Sequence, residues 1–180
     1  MTILSRWMLL GLLVAAPEEP TIERLSIAAS GSQILVSFEL TSGLTAETRE
    51  RIASGLPTGF VYELELMRDR KHWWDRGVEA SRLEVVAMFN AVTQEYLLNT
   101  KHDGRLIGSR MLRDPAELER AMTQFAPFPA FTVEAPQERT RYLVRVRVDL
   151  GPSSILGFIP YQRSTPWVES NKVRIRVAEP

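Results

Sequence analysis

Apolar and polar residues alternate strictly from Leu143 to Leu150, with Val144, Val146, Val148 and Leu150 on one side and Arg145, Arg147 and Asp149 on the other. A two-residue period is the mark of a strand with one buried face. The same period recurs where Phe60, Tyr62, Leu64 and Leu66 alternate with Val61, Glu63 and Glu65, and again in Leu83, Val85, Ala87 and Phe89. These two segments, joined through the tip Arg68 to Arg76, predict a central hairpin. Ile22 to Ala29 and Gln33 to Leu40 flank the small-residue turn Ser30, Gly31, Ser32 and predict a second hairpin, with Ile34, Val36, Phe38 and Leu40 inward. Further strands are expected around Glu95 to Thr100, from Leu106 to Met111 beyond the turn Lys101, His102, Asp103, Gly104, and at the end with Val173, Ile175 and Val177 inward.

Two helices interrupt this succession. Thr45 is placed to cap a short helix that runs to about Ser54 and is closed by Gly55 and Pro57. Asp114 caps the second, Pro115 suits its first position, Glu117 completes a capping box, and Leu118, Ala121, Met122 and Phe125 form its apolar stripe. This helix is expected to end before Pro127 and to lie against one edge or end of the sheet. An irregular stretch through Gly151, Pro152, Gly157, Pro160 and Pro166 precedes the last strand. Seven or eight strands with two short helices predict a mainly β protein, an antiparallel β-sandwich of immunoglobulin-like general architecture rather than a barrel.

Composition bounds the function. The chain has 180 residues, 44% of them hydrophobic, enough for one substantial core, so residues 22–180 are expected to form a single domain. Lys plus Arg equals Asp plus Glu at 22 each, which gives no long-range pull toward nucleic acid. The absence of cysteine excludes disulfides, thiolate catalysis, zinc-thiolate sites and an acylated lipoprotein cysteine. Residues 1–16 place Arg6 ahead of an apolar run from Trp7 to Ala16, shorter than the roughly twenty residues that span a bilayer. They read as a signal peptide cut after Ala15 and Ala16, or as an uncleaved N-terminal anchor, because Pro17 hinders cleavage there. Residues 17–21 are the linker. The expected location is the periplasm or otherwise exported, with tethering to the inner membrane through an uncleaved segment as the alternative.

The order Phe38 Glu39 Leu40, Gly43 Leu44 Thr45, a helix ending Ser54 Gly55 Leu56 Pro57 and the Phe60 to Leu66 strand resembles an uncharacterised family of exported bacterial proteins, the domain-of-unknown-function family numbered 4390. The resemblance continues through Trp73 Trp74 Asp75 to Trp167 Val168 Glu169 Ser170 and covers nearly all of the chain after residue 16. It implies an envelope location in Gram-negative bacteria, no assigned activity and no catalytic residues to carry over. Some members are encoded near membrane sensor kinases, which points to an envelope-sensing setting. The chain departs from a typical member in its Arg-rich final strand.

Three features are candidates for function. The cluster Lys71, His72, Trp73, Trp74, Asp75, Arg76 places adjacent tryptophans on opposite faces of an extended segment, so one ring can cap the core while the other anchors a partner protein, a glycan or the membrane interface. The plainer reading packs both rings and leaves the charges to solvate a hairpin tip. Arg139, Arg141, Arg145 and Arg147 form one basic stripe and Lys172, Arg174 and Arg176 another. Side by side they make a basic face for phosphate or carboxylate groups, unless Glu63, Glu65, Glu79 and Glu84 pair with them across strands. The apolar stretch Ile155, Leu156, Phe158, Ile159, Tyr161 either closes the end of the sandwich or caps a ligand cavity.

Nothing in the chain combines residue types at a spacing that catalysis demands. His72 and His102 are the only histidines; no second histidine stands at metal-ligand spacing, and His102 beside Asp103 and Gly104 reads as a solvated turn residue. Neither a G-x-S-x-G elbow nor a phosphate-cradling G-x-x-x-x-G-K run occurs. The expectation is a non-enzymatic envelope module without a cofactor, meeting a protein partner along a strand edge or at the Trp73–Trp74 tip. The alternative is a carrier or sensor of a small apolar ligand or lipid.

Overall fold

The alternating segments fold as antiparallel strands. The computed structural model describes residues 19–69, 76–134, 140–155 and 159–175, with backbone alone at 76–78, 152–155 and 159–162. Residues 1–16, His72, Trp73, Trp74, Asp75, Arg139, Leu156, Phe158, Arg176 and Val177 lie outside the described residues, as do the side chains of Arg76, Ile155, Ile159 and Tyr161. In chain order the elements are β1 (Thr21–Ser30), β2 (Gln33–Thr41), α1 (Ala46–Ala53), β3 (Thr58–Asp69), β4 (Arg76–Asn90), β5 (Glu95–His102), β6 (Arg105–Leu112), α2 (Pro115–Thr123), β7 (Gln124–Thr132), β8 (Arg141–Ile155), β9 (Ile159–Ser164), β10 (Val168–Glu169) and β11 (Val173–Arg174).

A three-stranded sheet, β1-β2-β7, faces an eight-stranded one of order β10-β8-β3-β4-β5-β6, to which β9 and β11 add along β8. The sandwich-like antiparallel class is therefore as the periodicity predicts, and β3 with β4 is the central hairpin. Ile34, Val36, Phe38 and Leu40 of β2 are buried in one cluster with Phe60, Tyr62, Leu64 and Leu66 of β3 and Val144, Val146 and Val148 of β8. The Tyr62 hydroxyl donates to the Met122 carbonyl at 2.8 Å, tying the end of α2 to β3. Burial pushes this phenol well above its ordinary pKa, so it stays a donor.

Local chemistry sets the helix ends. Thr45 accepts from the Thr48 N–H, and α1 closes with Gly55 N–H to the Ile52 carbonyl and Leu56 N–H to the Arg51 carbonyl. That is a Schellman stop, with Gly55 at φ 82°. Asp114 accepts from Ala116 N–H at 2.9 Å. Glu117, however, does not complete a capping box; its carboxylate takes the Arg110 guanidinium at 3.0 Å.

Three strands lie beyond those expected. β7 begins directly at the C-cap of α2 and contains Pro127 and Pro129, residues that argue against a strand but are tolerated at a sheet edge, where no N–H is required. β8 continues past the expected break, because Gly151 at φ 75° sits in a bulge between Asp149 and Pro152, its N–H held by the Asp149 carboxylate at 2.9 Å. It then pairs with β9. β10 is two residues long, too short for any periodicity.

Candidate functional site

The arginine stripes meet carboxylates. Strand β3 sets Glu65 opposite Arg145 and Glu63 opposite Arg147, and the Nη2–Oε2 distance is 2.6 Å in both pairs. The Trp167 ring lies against both guanidiniums, 4.6 Å from each. Arg141 and Lys172 share Asp69 at 2.9 and 3.1 Å. The outer face of β8 and β3 is thus an alternation of charges under an indole, not a basic surface. Of the other carboxylates weighed, Glu84 pairs with Arg82 at 3.2 Å. Arg174 is exposed and lies opposite Arg141.

The Lys172 hydrogen bond, helped by the charges of Lys172 and Arg141 against an opposing desolvation, lowers the Asp69 carboxyl pKa. A folded-state pKa below the unfolded one stabilises the fold above the ordinary carboxyl value, and that contribution is lost as pH falls through the folded value. Asp69→Asn is expected to be less stable than wild type near neutrality and to converge with it toward about pH 2, as followed by urea midpoints from about pH 6 downward.

The edges of the two sheets are treated unequally. On β8 the outward backbone groups of Val144 are met by Ser170, whose Oγ accepts from the Val144 N–H at 3.0 Å and whose N–H donates to the Val144 carbonyl at 2.9 Å. Thr165 does the same for Val148, at 3.1 and 3.0 Å. Between them Val168 pairs with Val146, and beyond them Val173 pairs with Tyr142. The Asn171 amide clasps Ile27 of β1, accepting from its N–H at 2.8 Å and donating to its carbonyl at 3.1 Å. So residues 165–173 cover the edge of β8 and pin the edge of β1, while β7 carries two prolines that have no N–H to offer.

No described strand lies on the outer side of β6. Leu106, Ile107 and Met111 are about 60% exposed there (60%, 59% and 64%). Their placement follows from the register. On the face away from the core Met111 lies opposite Leu97, which lies opposite Met88, an apolar row across three strands. Leu106 lies opposite Lys101 on that face, and Ile107 is the unpaired residue of a bulge. On the core side stand Arg105, opposite His102, and Arg110, opposite the buried Leu98. The sequence marks this strand; only the register and sheet order show its apolar residues at an edge that no described strand covers.

Two further clusters have chemistry. Asp103 and Gly104, both at positive φ, make the tight β5–β6 turn. His102 is not a solvated turn residue. Its side chain is 20% exposed, its Nε2 is 2.8 Å from the buried Ser81 hydroxyl, and its ring meets Phe128 edge-on. A relay for nucleophilic catalysis needs the carboxylate on the other ring nitrogen; here Asp103 sits 3.5 Å from the same Nε2 and bonds the Arg82 N–H at 2.7 Å, clasping the turn to β4. Among the described residues no group of three or more His, Asp or Glu is arranged to hold a metal ion. The second cluster is an apolar cleft of about 490 Å³ between α1 and α2, lined by Leu44, Ile52, Tyr96, Pro115 and Leu118. Arg49 and Glu119, ion-paired at 2.9 Å, link the two helices at its wall.

A family model described as Domain of unknown function (DUF4390) matches residues 18–155. The chain belongs to this family. The match spans both sheets through β8 and includes β6 and the α1–α2 cleft, whereas the edge-covering β9, β10 and β11 lie past its end. No curated protein and no solved structure matches the chain. No helix among the described residues is long and apolar enough to cross a membrane.

Proposed function

We propose that this DUF4390 domain is a non-enzymatic periplasmic module, exported or held at the inner membrane by its first sixteen residues, that meets a protein partner by strand addition at β6. One observation carries the reading. The edges of β8, β1 and β7 are paired, clasped or proline-bearing, while no described strand pairs with the outer side of β6, which carries three apolar side chains about 60% exposed. An uncovered apolar edge strand is a template for a further strand, where backbone bonds give affinity and alternate side chains give specificity. The test is a photo-reactive amino acid at Ile107 in growing cells, with Leu56, 50% exposed on the α1–β3 loop, as control. A protein adduct from position 107 and none from 56 is expected. No adduct from position 107, or one equally from position 56, defeats the β6 reading.

The α1–α2 cleft supports a second reading, a carrier of a small apolar ligand. Its volume is within the range of small-molecule sites, and its polar groups stand at the wall. Ala53, which lines it and is exposed, offers a way to fill it. Ala53→Trp is expected to abolish the fluorescence gain of a neutral apolar dye such as N-phenylnaphthylamine, with stability changed by less than about 0.5 kcal/mol. A dye response equal in both proteins places the dye elsewhere and removes the cleft as the site.

A further inference from the structure

The two sides of β6 differ in kind, and the difference specifies what lies beside it. Away from the core stand Leu106 and Met111, with Ile107 between them at the bulge; toward the core stand Arg105 and Arg110. No carboxylate lies on the strand. Arg110 is paired with Glu117, but Arg105 makes no ion pair among the described residues. From this we infer, building on the strand-addition reading, that the occupant of the β6 edge is an extended segment of another protein in which apolar and acidic residues alternate.

The argument is one of register. A strand added beside β6 places successive side chains on opposite faces, so every second residue meets the Leu106–Met111 side and the intervening ones meet the Arg105–Arg110 side. Apolar residues on the first side extend the row Met88, Leu97, Met111 by one strand. Carboxylates on the second side take up the free Arg105 charge. A second copy of this chain does not fit. A symmetric antiparallel pair of β6 strands brings Arg105 and Arg110 of both copies to one side of the interface; Glu117 answers only the Arg110 charges, so two Arg105 charges meet with no acid on either strand, and like charges there are destabilising. Arg105 thus acts against self-pairing and for an acidic partner at the same time.

The test uses three eight-residue peptides: Val and Glu alternating, Val and Lys alternating, and the Val/Glu peptide with a central proline that removes a backbone N–H. Their affinities for the full chain are read by fluorescence anisotropy, with sedimentation velocity of the protein alone. The Val/Glu peptide is expected to bind at least about tenfold more tightly than the other two, a gap of about 1.4 kcal/mol. Arg105→Glu, which breaks no ion pair, is expected to remove most of that preference, and Met111→Lys to weaken the peptide. Equal binding of the acidic and basic peptides, a basic preference, or no binding overturns the inference. So does dimerisation that Arg105→Glu strengthens, which makes the occupant a second copy. The photo-adduct at Ile107 separates the two claims: a partner trapped there through a segment without alternating carboxylates sinks the peptide chemistry and leaves strand addition standing.

Discussion

Replacing Phe38 with alanine is expected to lower the unfolding free energy by about 3–5 kcal/mol, because a buried aromatic ring is lost and the space it leaves closes only in part. Phe38 is 3% exposed, and its ring centroid lies 5.1 Å from that of Tyr62, 4.8 Å from Phe125 and 6.4 Å from Phe128. It therefore joins β2 of the small sheet, β3 of the large one and the start of β7 in a single contact group. A loss of that size is a large share of the roughly 5–15 kcal/mol that holds a domain together. Urea unfolding with a lower midpoint and an unchanged slope checks it; a shift worth less than about 1 kcal/mol shows that the two sheets are not joined through this ring. The consequence reaches the edge strand. Phe125 follows α2, the Tyr62 hydroxyl holds the end of α2, and Glu117 of α2 holds Arg110 of β6. The aromatic group is thus the footing from which β6 projects.

What could be read from the residues depended on how local its cause was. The central strands are legible because burial of one face writes a two-residue period into Phe60 to Leu66 and Leu143 to Leu150. Both helices are legible from Thr45, Gly55, Asp114 and Pro115, whose capping chemistry acts within a turn. β7 is not, since Pro127 and Pro129 rule out a central strand and only the sheet order shows that they stand at an edge. The charge of β8 is legible in number but not in sign of effect. Arg145 and Arg147 form a stripe whichever strand lies beside them, and it is the register with β3 that sets Glu65 and Glu63 against them. The open edge is the least legible feature of all. Leu106, Ile107 and Met111 are ordinary strand residues until the topology shows β6 with no described strand on its outer side.

The covered edge and the open one are expected to respond in opposite ways to substitution. Thr165→Val with Ser170→Ala removes the two hydroxyls that accept from the Val148 and Val144 N–H groups of β8. Each strands a backbone donor at the covered edge, at a cost of about 1–3 kcal/mol, and sites that share no partner add, so the double variant is expected to lose about 2–6 kcal/mol. Release of residues 165–173 also bares β8 beside the apolar core, and such an edge pairs with its like. The double variant is therefore expected to sediment as dimers and larger species where the wild-type chain does not. Leu106→Lys with Met111→Lys on β6 is expected to shift stability by no more than about 0.5 kcal/mol per site and to leave the sedimentation of the free protein unchanged, because those side chains are about 60% exposed already. Thermal melts with sedimentation velocity on the two double variants decide the matter. If the β6 lysines destabilise as much as the loss of the two hydroxyls, the strand is packed within the folded chain, and a partner has no edge to join. If they leave the fold intact and remove only the adduct at Ile107, the apolar residues of β6 stand exposed at the surface for the sake of the strand that comes to lie beside them.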